Sequence, residues 1–119
     1  MARRYIPGRG DIVWLQFDPQ AGHEQAGIRP ALVISPKVYN KKVELGLFCP
    51  ITSHVKGYPF EVLLPEGLKV TGAILADQIK SLDWRVRRAK RFTKAPREVV
   101  NEVLAKILAL VGDDSPPAR

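Results

Sequence analysis

A chain of 119 residues with 45% hydrophobic content has room for one packed domain, and two would be cramped. Its 19 Lys and Arg against 12 Asp and Glu leave a formal charge of +7, which points to an anionic partner such as nucleic acid, although solubility alone also explains it. No apolar run nears the roughly 18 residues of a membrane span, no apolar stretch of signal-peptide type follows Met1, and the single cysteine, Cys49, excludes an intrachain disulfide or a cysteine-built zinc site; the expectation is a small, soluble, cytoplasmic domain without membrane contact.

Gly10-Asp11 reads as a turn. Residues 11–17 then form a strand with β-branched and aromatic bulk from Ile12, Val13, Trp14 and Leu15. Asp18-Pro19 ends it, and residues 20–28, with Gly22 and Gly27, read as a loop. Pro30 biases Arg29 towards an extended backbone, and residues 31–35 make a short buried strand that stops at Pro36. A third strand covers 43–50, extended by Ile51 and Thr52 past a bulge, and leads into a polar loop at 53–57. Residues 60–64 form a fourth strand, closed by Pro65-Glu66-Gly67, and residues 71–79 a fifth with 80–83 as its exit. Residues 84–88 fit either a helical turn or a strand, and 89–93 a last strand.

The C-terminal pattern is different. Val99, Val100, Val103, Leu104, Ile107, Leu108 and Val111 recur at helical spacing and give one broad apolar face. Pro96 suits the first turn, Glu98 the positive end of the helix dipole, and Gly112 the position just past the end. Residues 1–112 thus read as one domain and 113–119 as a flexible tail. Five or more short strands followed by one amphipathic helix predict a mainly β fold, a small bent sheet or barrel with the helix over an open face. The exposed edges of such a sheet invite pairing with a second copy.

The charge is uneven. Arg85, Arg87, Arg88, Lys90, Arg91 and Lys94 fall within ten residues without an acid among them, and the rest of the chain holds 13 bases against 12 acids. Arg3, Arg4 and Arg9 make a smaller basic arm. The strip at 85–94 reads as a surface that tracks phosphates, or as a solvated edge strand protected from aggregation.

P-loop, nucleophile-elbow and HExxH patterns are all absent. Two histidines, His23 and His54, and scattered acids give no convincing metal-ligand spacing, so no metal is expected. Two loops do hold a usable set: Glu24 and Arg29 around the first, Thr52, Ser53, His54 and Lys56 around the second. Together these suit metal-free cleavage of a phosphodiester. A base, Glu24, takes the ribose 2′-OH proton; Arg29 holds the phosphoryl oxygens bidentately; Thr52 donates to one of them; Lys56 grips the backbone or a base edge. Each also has an ordinary reading, with Arg29 solvated, Thr52 a strand threonine and Glu24 loop surface. Cys49, Trp14 and Trp84 read as core, and Phe17, at a strand end, as the better platform for stacking a base.

The ordered set Arg4-Tyr5, Pro7, Gly10-Asp11, Trp14, Phe17-Asp18-Pro19, Gly22, Glu24-Gln25-Ala26-Gly27, Arg29-Pro30-Ala31, Ser35-Pro36, Tyr39-Asn40, Pro50, Thr52, Lys56 to Val62, Ala76-Asp77-Gln78 and Trp84-Arg85 resembles the MazF/PemK-type toxins of toxin–antitoxin systems, closest to the MazF branch. The resemblance spans about residue 3 to the end of the helix. It implies a PemK/CcdB-type barrel, similar to an SH3 barrel, and a homodimer whose groove takes single-stranded RNA. It further implies a sequence-specific, metal-independent endoribonuclease acting on mRNA without a cofactor and leaving a 2′,3′-cyclic phosphate and a 5′-hydroxyl. On the matching positions Arg29 and Thr52 are the family's catalytic pair and Glu24 a residue needed for activity. Phe17, Gln25, Ser53, Lys56 and Gln78 fall in RNA-gripping segments, and a MazE-like antitoxin is the implied protein partner. His54 and the strongly basic segment 85–94 depart from the family pattern. The alternatives are a non-enzymatic CcdB-like gyrase-binding toxin, which needs an aromatic-containing C-terminus that this chain lacks, and a passive RNA-binding barrel.

Overall fold

The structure is a computed structural model that describes residues 4–17 and 27–112. The expectations placed on His23, Glu24 and Gln25, and on the tail at 113–119, lie outside the described residues. In chain order the elements are β1 (Asp11–Gln16), β2 (Ile28–Val33), α1 (Lys37–Val43), β3 (Gly46–Thr52), β4 (Glu61–Leu63), β5 (Ala73–Leu75), a 3-10 turn (Ala76–Gln78), β6 (Lys80–Leu82), β7 (Lys90–Lys94) and α2 (Arg97–Val111).

The strands form one sheet in the order β4-β5-β3-β2-β1-β7, with every pairing antiparallel. The sheet runs from β4 to β7 without closing on itself. Strand β3 is the centre of this arrangement. One of its edges pairs with β2, and the other is shared by β6, opposite residues 46–48, and β5, opposite Ile51 and Thr52. The expected single strand over 71–79 is therefore broken. The 3-10 turn at Ala76–Gln78 breaks the chain between two short strands that serve the same neighbour.

Both faces of the sheet are buried, which is why residues 31–34 form an unbroken apolar run rather than an alternating one. Strict alternation still sorts them. Ile12, Leu32, Cys49, Ile51 and Ile74 pack with Val99, Val100 and Val103 of α2 on one face. Val13, Leu15, Ala31, Val33 and Phe48 pack with Leu82 and Trp84 on the other. The mainly β fold with a C-terminal helix is the expected one, and α2 covers one face as its apolar stripe predicts. Gly112 differs from expectation: its φ of −80° is extended rather than left-handed, and its N–H still closes the helix on the Leu108 carbonyl at 2.8 Å. The ambiguous segment 84–88 is a hydrogen-bonded turn, in which the Asp83 carboxylate accepts the Arg85 and Val86 amides at 3.0 Å each. No helix among the described residues is long and apolar enough to cross a membrane.

Helix α1 was not expected, because its buried residue is a polar one. Asn40 is fully buried, while Val38 and Tyr39 on the same helix are exposed. Its amide donates to the carbonyls of Pro7 (2.8 Å) and Ser35 (3.1 Å), its side-chain oxygen accepts from the Ser35 hydroxyl (2.5 Å), and its own carbonyl accepts from the Trp84 indole (3.2 Å). The Ser35 hydroxyl in turn accepts the Leu47 amide at 2.8 Å. Removing the amide strands buried partners and leaves a void. Asn40→Ala should lower unfolding free energy by about 2–3 kcal/mol in a urea titration with unchanged slope; an unchanged midpoint would show that water replaces the amide at little cost.

Candidate functional site

Strands β2 and β3 bring together two of the residues singled out from sequence. Their register pairs Ala31 with Pro50, Leu32 with Cys49 and Val33 with Phe48. Carried two residues further along both strands, it sets Arg29 across from Thr52. Alternation then directs both side chains to the face that holds Phe48, Ala31 and Val33. Arg29 also lies opposite Leu15 in the β1–β2 ladder. Its Nε–H is buried and has no hydrogen-bond acceptor among the described residues. A donor in that state costs about 1–3 kcal/mol until an acceptor arrives.

Thr52 ends β3, and its hydroxyl accepts the His54 amide at 3.0 Å, a local turn that aims the following loop. Gly72 presses on the same point from β5's side. Its φ is +117°, and a Cβ there would sit 2.0 Å from the Thr52 carbonyl oxygen and 3.3 Å from the Ser53 Cα. Only glycine permits that approach.

The loop beyond Thr52 is held by Glu61. This carboxylate is 9% exposed, and it accepts the amides of Lys56 (3.1 Å) and Gly57 (2.8 Å). Lys106 of α2 reaches the Pro59 carbonyl at 2.6 Å and ties the loop to the helix behind it. Thr52, His54, Lys56, Tyr58 and Glu61 line a groove of about 410 Å³ together with Leu75, Asp77 and Gln78 from β5 and the 3-10 turn. The Lys56 ammonium lies 5.8 Å from the centre of the Tyr58 ring. Gln78 is exposed on the 3-10 turn, whose Ala76 is buried against α2 and Cys49.

Of the residues expected at the site, Thr52, Lys56 and Gln78 share this groove, Ser53 is exposed between Thr52 and His54 without lining it, and Arg29 stands beside Thr52 across the strand pair. Phe17 is positioned differently. It follows β1 at the same end of the sheet, yet it is 4% exposed and packs with Val13 and Leu15, so its ring serves the core. Cys49 is core as expected. Burial, and secondarily the Asp77 charge, push its thiol up to about 12, which keeps it protonated and unreactive. Trp84 is buried, and Trp14 packs against Phe92 with ring centres 5.2 Å apart.

Glu61, Gly72 and Asp77 were not assigned roles from sequence. Glu61 carries a signal: an acid beside Val62 in an apolar strand must find donors, and here they are the amides of the loop it precedes. Gly72 and Asp77 carry none, because their partners are brought by the pairing of β5 with β3.

The chain matches the family of PemK-like, MazF-like toxins of type II toxin–antitoxin systems over residues 8–111. It is 50% identical over 113 residues to the endoribonuclease toxin MazF of Escherichia coli strain K12, covering 94% of this chain and all of that one. The crystal structure of MazF (Form-I) from Deinococcus radiodurans superposes with a TM-score of 0.87 at 55% identity, over 92% of this chain and 100% of that chain. A MazE-MazF structure (Form-II) from the same organism gives 0.85 at 55% identity, over 92% and 98%.

The close approach at Thr52 is testable by itself. Gly72→Ala should cost about 2 kcal/mol or more and shift the amide resonances of Thr52 and Ser53 while sparing those of β1. Unchanged stability and unchanged resonances would show that the two backbones have room between them.

Proposed function

The chain belongs to the PemK-like, MazF-like toxins of type II toxin–antitoxin systems, and from that premise we infer that it is an endoribonuclease that cuts single-stranded RNA, arrests translation by cutting mRNA, and is restrained by a MazE-like antitoxin. The identity to the MazF toxin of Escherichia coli supports the activity, and the MazE-MazF structure supports the partner. The match over 8–111 supports residues 1–112 as a single toxin domain. The working unit is a cytoplasmic homodimer around one RNA groove. The relatives' names favour the endoribonuclease over a gyrase-binding or passive RNA-binding barrel.

The chemistry follows from the side chains. In metal-free strand scission of this kind the ribose 2′-oxygen attacks the adjacent phosphorus as its proton is removed. The bond to the 5′-oxygen then breaks and that oxygen gains a proton, leaving a 2′,3′-cyclic phosphate and a 5′-hydroxyl. Negative charge grows on the phosphoryl oxygens in between, so fixed donors aimed at them stabilise the transition state more than the ground state. Arg29 and Thr52 are those donors in this reading, and the observation that carries it is the buried Nε–H of Arg29, without an acceptor among the described residues, across the strand pair from Thr52. Glu24 is the assigned base. Lys56, Ser53 and Gln78, with Gln25 and Phe17, are assigned to the grip on RNA; for Phe17 that grip is indirect, through packing beneath Arg29's end of the sheet.

Purified protein should cut single-stranded RNA with EDTA present. Arg29→Ala should lower the rate by two to three decades, about 3–4 kcal/mol, with its folding intact. Activity that returns only with added Mg²⁺, or full activity in the variant, would overturn the assignment.

A further inference from the structure

A second groove lies at the other end of the sheet. Arg4 and Arg9 of the N-terminal segment, Lys37 of α1, and Arg91 and Lys94 of β7 surround a space of about 490 Å³ with one acid, Asp11, among them. Three stretches far apart in sequence are thus folded into one concentration of positive charge. Asp11 opens β1 opposite Lys94, whereas Arg29 pairs near the end of the same strand. The stretch of β1 from Asp11 to Leu15 separates the two by about 13 Å along the strand.

We propose that this groove is a second phosphate-binding surface, which holds the backbone of an RNA strand extending beyond the segment at Arg29 and Thr52. The proposal rests on the chain acting on RNA. Asp11 does not serve as counter-ion to the whole cluster. Its carboxylate is occupied by the Tyr5 hydroxyl (2.5 Å) and the Gly8 amide (3.1 Å), with the Arg91 Nε at 3.8 Å. Burial and that hydrogen bond to Asp11 push the Tyr5 phenol well above its usual range, so the hydroxyl remains a donor. Asp11 is thus engaged with the N-terminal segment, and it lies within ion-pair range of the Arg91 Nε without a hydrogen bond to it, so that exposed guanidinium keeps its donors for a ligand. Arg9 is held by the backbone, its Nε donating to the Ile34 carbonyl at 2.6 Å. Lys37 and Lys94 are exposed and have no acid partner among the described residues.

The guanidinium forks of Arg9 and Arg91 and the ammonium groups of Lys37 and Lys94, which lack an acid partner among the described residues, repel one another until a polyanion binds, and forked donors suit phosphate oxygens. Two cations of the basic strip are committed elsewhere. Arg85 bonds Glu44 at 2.5 Å, and Arg87 donates to the Gln16 carbonyl at 3.0 Å. Within the strip, Arg91 and Lys94 are the two cations that the fold gathers with Arg9 and Lys37 into this groove.

The test is binding of a long 2′-O-methyl RNA, which has no free 2′-hydroxyl to attack, across a range of salt concentrations. Lys37→Gln with Lys94→Gln should reduce the slope of log K against log salt by about 1.4, roughly 0.7 per lost phosphate contact on a single strand. Arginine at both positions should restore it. A slope equal to the parent's would overturn the proposal. So would a parental slope with lost binding of poly-glutamate, which would assign the groove to an acidic peptide. A protein that shows the slope change but never cuts unmodified RNA keeps the groove and loses the nuclease reading. One that cuts RNA while its variant keeps the parental slope does the reverse.

Discussion

Strand β3 is hydrogen-bonded on both edges, to β2 on one and to β6 and β5 in turn on the other. Much of the molecule is arranged around that constraint. To serve one edge with two strands, the chain must break after β5, step through Ala76–Gln78 and resume as β6. The step puts Asp77 and Gln78 beside the end of β3, and the close pairing of β5 needs Gly72 against Thr52. The opposite edge brings Arg29 into register with Thr52. A single strand thus sets where the groove lies and which residues meet there. Helix α2 supports it from behind, through Val103 and its neighbours under the sheet and Lys106 on the Pro59 carbonyl.

The polar interactions divide by what they hold. Asn40 and Ser35 join the N-terminal segment, α1, β3 and the turn at Trp84 through buried hydrogen bonds, and these order the face of the sheet that α2 leaves uncovered. Glu61 orders the loop at the groove instead, and Asp11 the segment around Tyr5 and Gly8. In each case a polar side chain bonded to the backbone shapes a loop: the carboxylates accept backbone amides, and the Asn40 amide donates to backbone carbonyls. The net charge of +7 then has two components. Some cations are bound to carbonyls and carboxylates of the fold, and others are left facing solvent in a groove remote from Arg29.

Helix α2 was legible from sequence because it buries apolar residues at the helical period, and the strands at 11–16 and 31–33 because they are short apolar runs closed by Asp18-Pro19 and Pro36. Helix α1 was not, since its one buried side chain is Asn40 and no apolar stripe marks it. The strand expected over 71–79 hid a break, because Ala76 and Ile79 are as apolar as a strand's interior and the turn between them is imposed by β3. Arg29 and Thr52 stand 23 positions apart; nothing local to either predicts that they meet, and the resemblance to a known family supplied the pairing that the register then explains. Glu61 was visible as an acid in an apolar strand, but its role depended on the loop folding back onto it. Phe17 looked like a stacking platform because it ends a strand, and the packing against Val13 and Leu15 gives it a different use.

The central claim is that fixed donors at Arg29 and Thr52 serve attack by the substrate's own 2′-hydroxyl. The ends of the products report this directly. A long RNA digested by the purified protein in EDTA, with its new 5′ and 3′ ends identified chemically, should yield 5′-hydroxyls and 2′,3′-cyclic phosphates. Products ending in 5′-phosphate and 3′-hydroxyl would mean that water, not the ribose, attacks the phosphorus, and would contradict the account.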